Sequence, residues 1–146
     1  IHNEGTQPSV RRVTDALDAE RIATRQGFGY GGPHFPLAHH YASEGDEWMY
    51  GRGSHDRLTD SGDWREKIVL TAHRYMLEDV RTGLSFLISV ADLAGVKTPL
   101  ADAFLSIGGA VGGEGFMVTG RTLKGMGLGQ YDKAGMQKLL AEGFRT

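Results

Sequence analysis

One apolar stripe limits what this chain can fold into more than any other feature. Val80, Leu84, Leu87, Ile88 and Ala91 fall at i, i+4, i+7, i+8 and i+11, the spacing of one buried helix face, and Gly95 follows as a stop. Thr98-Pro99 then sets an N-cap candidate before a proline at the first helical position, and Leu100, Phe104, Ile107 and Val111 carry the stripe on to Gly112-Gly113. Two adjacent helices of this kind must bury their faces on each other and on further helices. No stretch alternates apolar and polar residues with comparable strength, so the chain reads as all-α.

The remaining segments fill in about five or six helices. Val10, Val13, Ala16 and Leu17 predict a first helix over residues 9–26, with Asp18, Glu20, Arg21 and Arg25 on its solvated side and Gly27 as its end. Residues 28–62 keep neither period. This long aromatic- and Gly-rich loop carries Tyr30, Tyr41, Trp48 and Tyr50 among its glycines, which suggests a functional loop or short turns tucked against the core. Ser61 or Asp63 is placed to cap a short helix with Trp64, Ile68 and Leu70. Thr119 is placed to cap a turn through Leu123, and Asp132 to cap a last helix carrying Met136, Leu139 and Leu140 before Gly143.

The length of 146 residues suits one domain, with a hydrophobic share of 40% that supports a proper core. Sixteen basic residues against eighteen acidic ones leave a net charge of −2, which offers no footprint for nucleic acid and no polybasic patch for a membrane. The longest apolar run, residues 84–94, is broken by Ser85, Ser89 and Asp92, well short of the roughly 20 residues of a span. Cysteine is absent, which excludes disulfides and thiolate metal sites and suits a cytoplasmic location. The chain opens Ile1-His2-Asn3-Glu4 without a basic and apolar leader or an initiator methionine, so a piece of a longer protein is expected.

Three groups of residues invite a chemical reading. Glycine occurs 22 times, about twice the usual share of roughly 7%, and one cluster, Gly108-Gly109-Ala110-Val111-Gly112-Gly113, resembles a nucleotide loop. It follows a helix rather than a strand and lacks the Gly-Lys-Ser/Thr ending, so close packing of helix ends is the better reading. His34, His39 and His40 with Glu44 and Asp46 lack the fixed spacing of a zinc site and read as surface or packing residues, so no metal is expected. The third group is His73-Arg74-Tyr75-Met76-Leu77-Glu78-Asp79-Val80, which stacks charge at the start of the most apolar helix. On composition alone the acids complement the helix dipole, and Arg74 and Glu78 form a surface i,i+4 pair.

The ordered set of motifs adds more. Arg74-Tyr75-Met76-Leu77-Glu78-Asp79-Val80, then Gly83-Leu84, then Leu93-Ala94-Gly95-Val96-Lys97-Thr98-Pro99 resembles the R-Y-x-x-E-D-x-x-x-G-L and G-V-x-x-P stretches of the octopine/nopaline dehydrogenase family. Glu4-Gly5-Thr6-Gln7-Pro8-Ser9-Val10 with Asp18-Ala19-Glu20-Arg21 is similar to the opening of the long helix in that family's C-terminal domain. Gly120-Arg121-Thr122-Leu123 and Gly127-Leu128 are similar to its tail, so the resemblance covers nearly the whole chain.

The resemblance implies the helical, substrate-side domain, residues 1–146, of an NAD- or NADP-dependent enzyme that joins an amino acid to a 2-oxo acid by reductive amination. An N-terminal Rossmann domain of the same protein would hold most of the cofactor. Asp79 matches the family aspartate that orients a proton-transferring histidine. That histidine lies upstream of the Glu4-Gly5 stretch and so before Ile1, and His2 is too close to that motif to stand in for it. Arg74 matches the motif arginine, expected near the cofactor's pyrophosphate. Residues 30–48 depart most from the family pattern and leave the substrate pair open. The chain alone is expected to be inactive, with an apolar face that favours self-association. The alternative is a non-enzymatic helical module for dimerisation or partner binding that keeps the family packing.

Overall fold

In the computed structural model, residues 7–41 and 67–144 are described, and among them the chain is helix and turn with no strand. The all-α expectation holds. Helix α1 (Pro8–Gly27) starts with its proline in the first turn, where no amide is missed, and ends where Phe28 donates its amide back to Thr24. A π-helical segment (Tyr75–Leu84) runs without a break into α2 (Ser85–Ala94), which Gly95 closes at a φ of 74°. Helix α3 (Pro99–Gly112) ends on Gly113 at a φ of 71°. Helix α4 is a single turn (Phe116–Thr119), and α5 (Lys133–Glu142) starts on Asp132, whose carboxylate accepts the Gly135 amide at 2.7 Å as expected for its N-cap. No helix among the described residues is long and apolar enough to cross a membrane.

Helix α3 packs against the π segment, α2 and α1, and buries one core of Met76, Ile88, Ala101, Leu105 and Phe116 with Leu17, Val80, Leu84 and Leu87 against it. Each of the larger side chains contributes about 1.5–3 kcal/mol when fully buried. A second core, Phe28, Leu123 and Met136, joins the end of α1 to α5. The Gly-rich end of α3 is the close contact that packing requires. A Cβ on Gly108 would sit 2.6 Å from Val80 Cγ1, and one on Gly109 2.7 Å from the Glu114 carbonyl oxygen. A phosphate is further disfavoured there, because this is the carbonyl end of a helix with Glu114 beside it.

Six sequence expectations need correction. Glu20 is not on a solvated face: it is buried, and its two carboxylate oxygens accept the amides of Leu100 (2.7 Å) and Ala101 (3.0 Å). Those are first-turn amides of α3, so a carboxylate from α1 does the capping assigned to Thr98, whose side chain makes no cap bond. Val10, Val13 and Ala16 are exposed, because no described element covers that part of α1. Ile68 and Leu70 belong to no short α-helix: residues 67–69 are irregular and Leu70–Ala72 makes one 3-10 turn, while Ser61, Asp63 and Trp64 lie outside the described residues. Thr119 ends a helical turn instead of starting one, since Phe116 supplies the buried anchor on its N-terminal side. Finally, the first ten residues of the long helix are π-wound.

The described part of the 28–62 loop is tied to α1. Asp18 pairs with Arg21 at 2.6 Å and accepts the Leu37 amide at 2.7 Å, while Arg21 donates to the carbonyls of His34 and Phe35. Trp48 and Tyr50 lie outside the described residues.

Candidate functional site

The π winding follows from which residues this segment buries. Met76, Val80, Leu84 and Ile88, spaced by four, all join the first core. In an α-helix each four-residue step overshoots a full turn by ~40°, so Met76 would end about 120° away from Ile88. A helix with i→i+5 bonding turns more slowly and keeps all four on one stripe. Met76 is buried to 7% exposure, so the apolar contact offsets the poorer winding.

Two hydroxyls secure the segment. Thr82 Oγ1 donates to the Leu77 carbonyl, five residues back, at 2.8 Å. Ser85, fully buried at the junction with α2, has its hydroxyl 2.5 Å from the Arg81 carbonyl and 3.0 Å from that of Arg121. Where i+5 pairing gives way to i+4 pairing, one carbonyl loses its amide, and a buried hydroxyl is the economical replacement donor. Gly120 lies so close to this junction that a Cβ would collide with the Arg81 carbonyl, the Ser85 hydroxyl and the Phe116 carbonyl.

Arg74, the cap residue just before this segment, and Asp79 within it are five residues apart, the spacing of the π repeat. Both are exposed. The Arg74 guanidinium lies 5.1 Å from the centre of the Tyr75 ring, and among the described residues it makes no ion pair with Glu78, so the surface pair expected from spacing is not formed. Tyr75 first, and then the nearby carboxylates of Glu78 and Asp79, hold the Arg74 proton more tightly than usual, so the group is a fixed cation. His73 accepts the Tyr75 amide on Nδ1 at 3.3 Å and packs its ring 4.7 Å from that of Tyr75, which caps the same end.

Asp79 borders an apolar cavity of about 390 Å³ walled by Met76, Val80, Leu84, Phe104, Ile107 and Leu17. It is the one charged residue of that wall, and no hydrogen bond or ion pair occupies its oxygens among the described residues. An exposed carboxylate beside an apolar wall can accept a donor brought from outside and stabilise a cation.

The other candidate groups are less cohesive. His34 accepts from Arg25 through Nδ1 at 3.4 Å, whereas Glu44 and Asp46 lie outside the described residues. No group of three or more histidine, cysteine, aspartate or glutamate residues that could hold a metal ion occurs among the described residues. Sequence reasoning selected Arg74 and Asp79 but missed Thr82 and Ser85. The signal for them was the unbroken four-residue spacing from Met76 to Ile88.

Comparison with known proteins agrees with the motifs. Residues 1–111 match the family described as NAD/NADP octopine/nopaline dehydrogenase, alpha-helical domain. The chain is 30% identical over 145 residues to an opine dehydrogenase of Arthrobacter sp. (strain 1C). That alignment takes in 92% of this chain but only 37% of the relative.

Proposed function

Because the chain belongs to the octopine/nopaline dehydrogenase family, as its α-helical domain, we propose that it forms the substrate side of an NAD- or NADP-dependent enzyme that condenses an amino acid with a 2-oxo acid. The reaction is an oxidoreduction at a carbon–nitrogen bond. The single observation that carries this reading is Asp79, an exposed acid that borders an apolar cavity on a motif segment that the family match includes.

In this reading Asp79 accepts an imidazole N–H from the preceding part of the protein, fixes the tautomer, and stabilises the imidazolium formed as a proton moves. The apolar wall keeps water from the reacting carbons and strengthens that electrostatic contact. Arg74 suits the cofactor's pyrophosphate, since it is exposed, permanently charged and not committed to a carboxylate. The cofactor, when bound, would supply the hydride that reduces the carbon–nitrogen double bond formed by the two substrates. A Rossmann domain preceding this chain would carry most of the cofactor contacts, in line with the 37% of the relative that the chain spans.

The experiment is Asp79→Asn in the full-length protein. The fold should persist, and cofactor affinity should hardly move. Turnover should fall by several orders of magnitude, on the scale of the ~10⁴ lost when a histidine-orienting aspartate becomes asparagine in serine proteases. Arg74→Ala should instead weaken cofactor binding or domain closure, with less effect on the chemical step. The alternative, a non-enzymatic module, requires near-normal behaviour of Asp79→Asn and a helix-dipole loss of only about 0.3–1 kcal/mol.

A further inference from the structure

Ten residues of π winding far exceed the single-turn bulges in which this geometry usually occurs, and such bulges recur at functional sites. The contacts that hold the winding converge on the residues just before Asp79. Thr82 Oγ1 bonds the carbonyl of Leu77 at 2.8 Å, and the Gly83 position is tight against the carbonyl of Glu78, where a Cβ would approach to 3.3 Å. Leu77 and Glu78 are the two residues that lead into Asp79, so a hydroxyl and a glycine on the following turn set the path of the backbone there. An ordinary helical threonine back-bonds the carbonyl four residues earlier. Here that would be Glu78, and the change would move the chain before Thr82 by one residue of winding, a turn of roughly 100°.

We propose that Thr82 is a positioning residue, whose hydroxyl on the Leu77 carbonyl fixes the π register that sets where the exposed Asp79 carboxylate stands beside the cavity. Three observations support this. The bond spans five residues and so exists only in the π register. Met76 anchors the near end of the segment in the core, and Ser85 closes the far end, which leaves the intervening turn to be set by Thr82. Asp79 itself has no hydrogen bond or ion pair among the described residues to hold it, so its place depends on the backbone beneath it. The proposal rests on the reading of Asp79 as the orienting carboxylate.

The test compares Thr82→Val, which keeps the branched shape and loses the donor, with Thr82→Ser, which keeps the donor. Both are made in the full-length protein, alone and with Asp79→Asn. Turnover is assayed with pyruvate, NADH or NADPH, and a panel of alanine, leucine, methionine, phenylalanine and arginine. Hydrogen exchange at the amides of residues 77–79 supplies a readout that does not depend on activity. Thr82→Val should lower kcat about ten- to a hundredfold with KM little changed, since a small misplacement of a reacting group has effects on that scale. Thr82→Ser should restore turnover to within about threefold, and Thr82→Val should add less than about twofold to Asp79→Asn, because both act through one carboxylate. Exchange at residues 77–79 should quicken about tenfold in Thr82→Val and not in Thr82→Ser.

Full activity of Thr82→Val beside an impaired Asp79→Asn would overturn the positioning role and leave the reading of Asp79 intact. Losses that multiply in the double variant would do the same. An active Asp79→Asn sinks both together. If no amino acid in the panel is turned over, unchanged exchange in Thr82→Val still refutes the register claim, and faster exchange upholds it.

Discussion

Glu20 stands on the face of α1 that looks towards α3, and both its oxygens are taken up by first-turn amides of that helix. A carboxylate there satisfies two orphan donors and complements the positive end of the helix dipole in one contact. Hydrogen bonds to charged groups contribute about 1.5–3 kcal/mol, and a buried amide left without an acceptor costs its own desolvation. Glu20→Ala should therefore destabilise the chain by about 2–4 kcal/mol, and Glu20→Gln, which keeps one acceptor oxygen, by about half of that. A urea titration in which the midpoint falls while the slope stays constant is the expected record. Equal stability of Glu20→Ala and the parent would remove the cap from the account. The sequence hid this contact because a lone glutamate among charged helix residues looks solvated until its partner, 80 residues away, is known. Asp132 was legible for the opposite reason, since its partner is three residues on.

At the scale of elements, α1, α3 and α5 were readable from proline, cap and glycine signals, which are local. The winding of the segment before α2 was not. Val80, Leu84, Leu87, Ile88 and Ala91 fit a 3.6-residue period well, and only the inclusion of Met76 requires a slower turn. Arg74 and Asp79 were found through motif resemblance, yet the place of Asp79 beside the cavity depends on that winding and lay beyond sequence reasoning. The junction offers a sharp test. Ser85→Ala removes the hydroxyl beside the Arg81 carbonyl in a site that is fully buried, and a stranded buried acceptor costs about 1–3 kcal/mol. Ser85→Gly should fare worse, since it adds backbone freedom to the same loss. Thermal unfolding of the two variants, both cooler than the parent and in that order, is the expected result.

The whole molecule leaves apolar surface open. Val10, Val13, Phe104, Ile107 and Val111 are all exposed, with Ile107 at 61%, in a chain that spans 37% of the relative it matches. Residues of the cavity wall continue onto this surface, so whatever covers it also closes the site. By itself the chain should show no NAD(P)H turnover with any amino acid and oxo acid, and it should associate at high concentration. Sedimentation of the parent beside Ile107→Ser tests the second point: the serine variant should shift towards monomer with little change in melting temperature, because this side chain has little burial to lose. Detectable turnover by the isolated chain would overturn the assignment of roles between the two halves.

The two cores also divide the molecule in time. Phe28, Leu123 and Met136 are separated from the first core, and the link between α1 and α5 includes a bond from Gln137 Nε2 to the Phe28 carbonyl at 2.6 Å, across 109 residues of sequence. Elements near a chain end that rest on a small core open at lower free energy than the main core. The last helix is therefore a unit that can open while the body around Met76 and Leu105 stays shut. Amides of residues 133–142 should exchange by an opening step of lower free energy than those of residues 99–112, and a protease should release the tail before it cuts the rest.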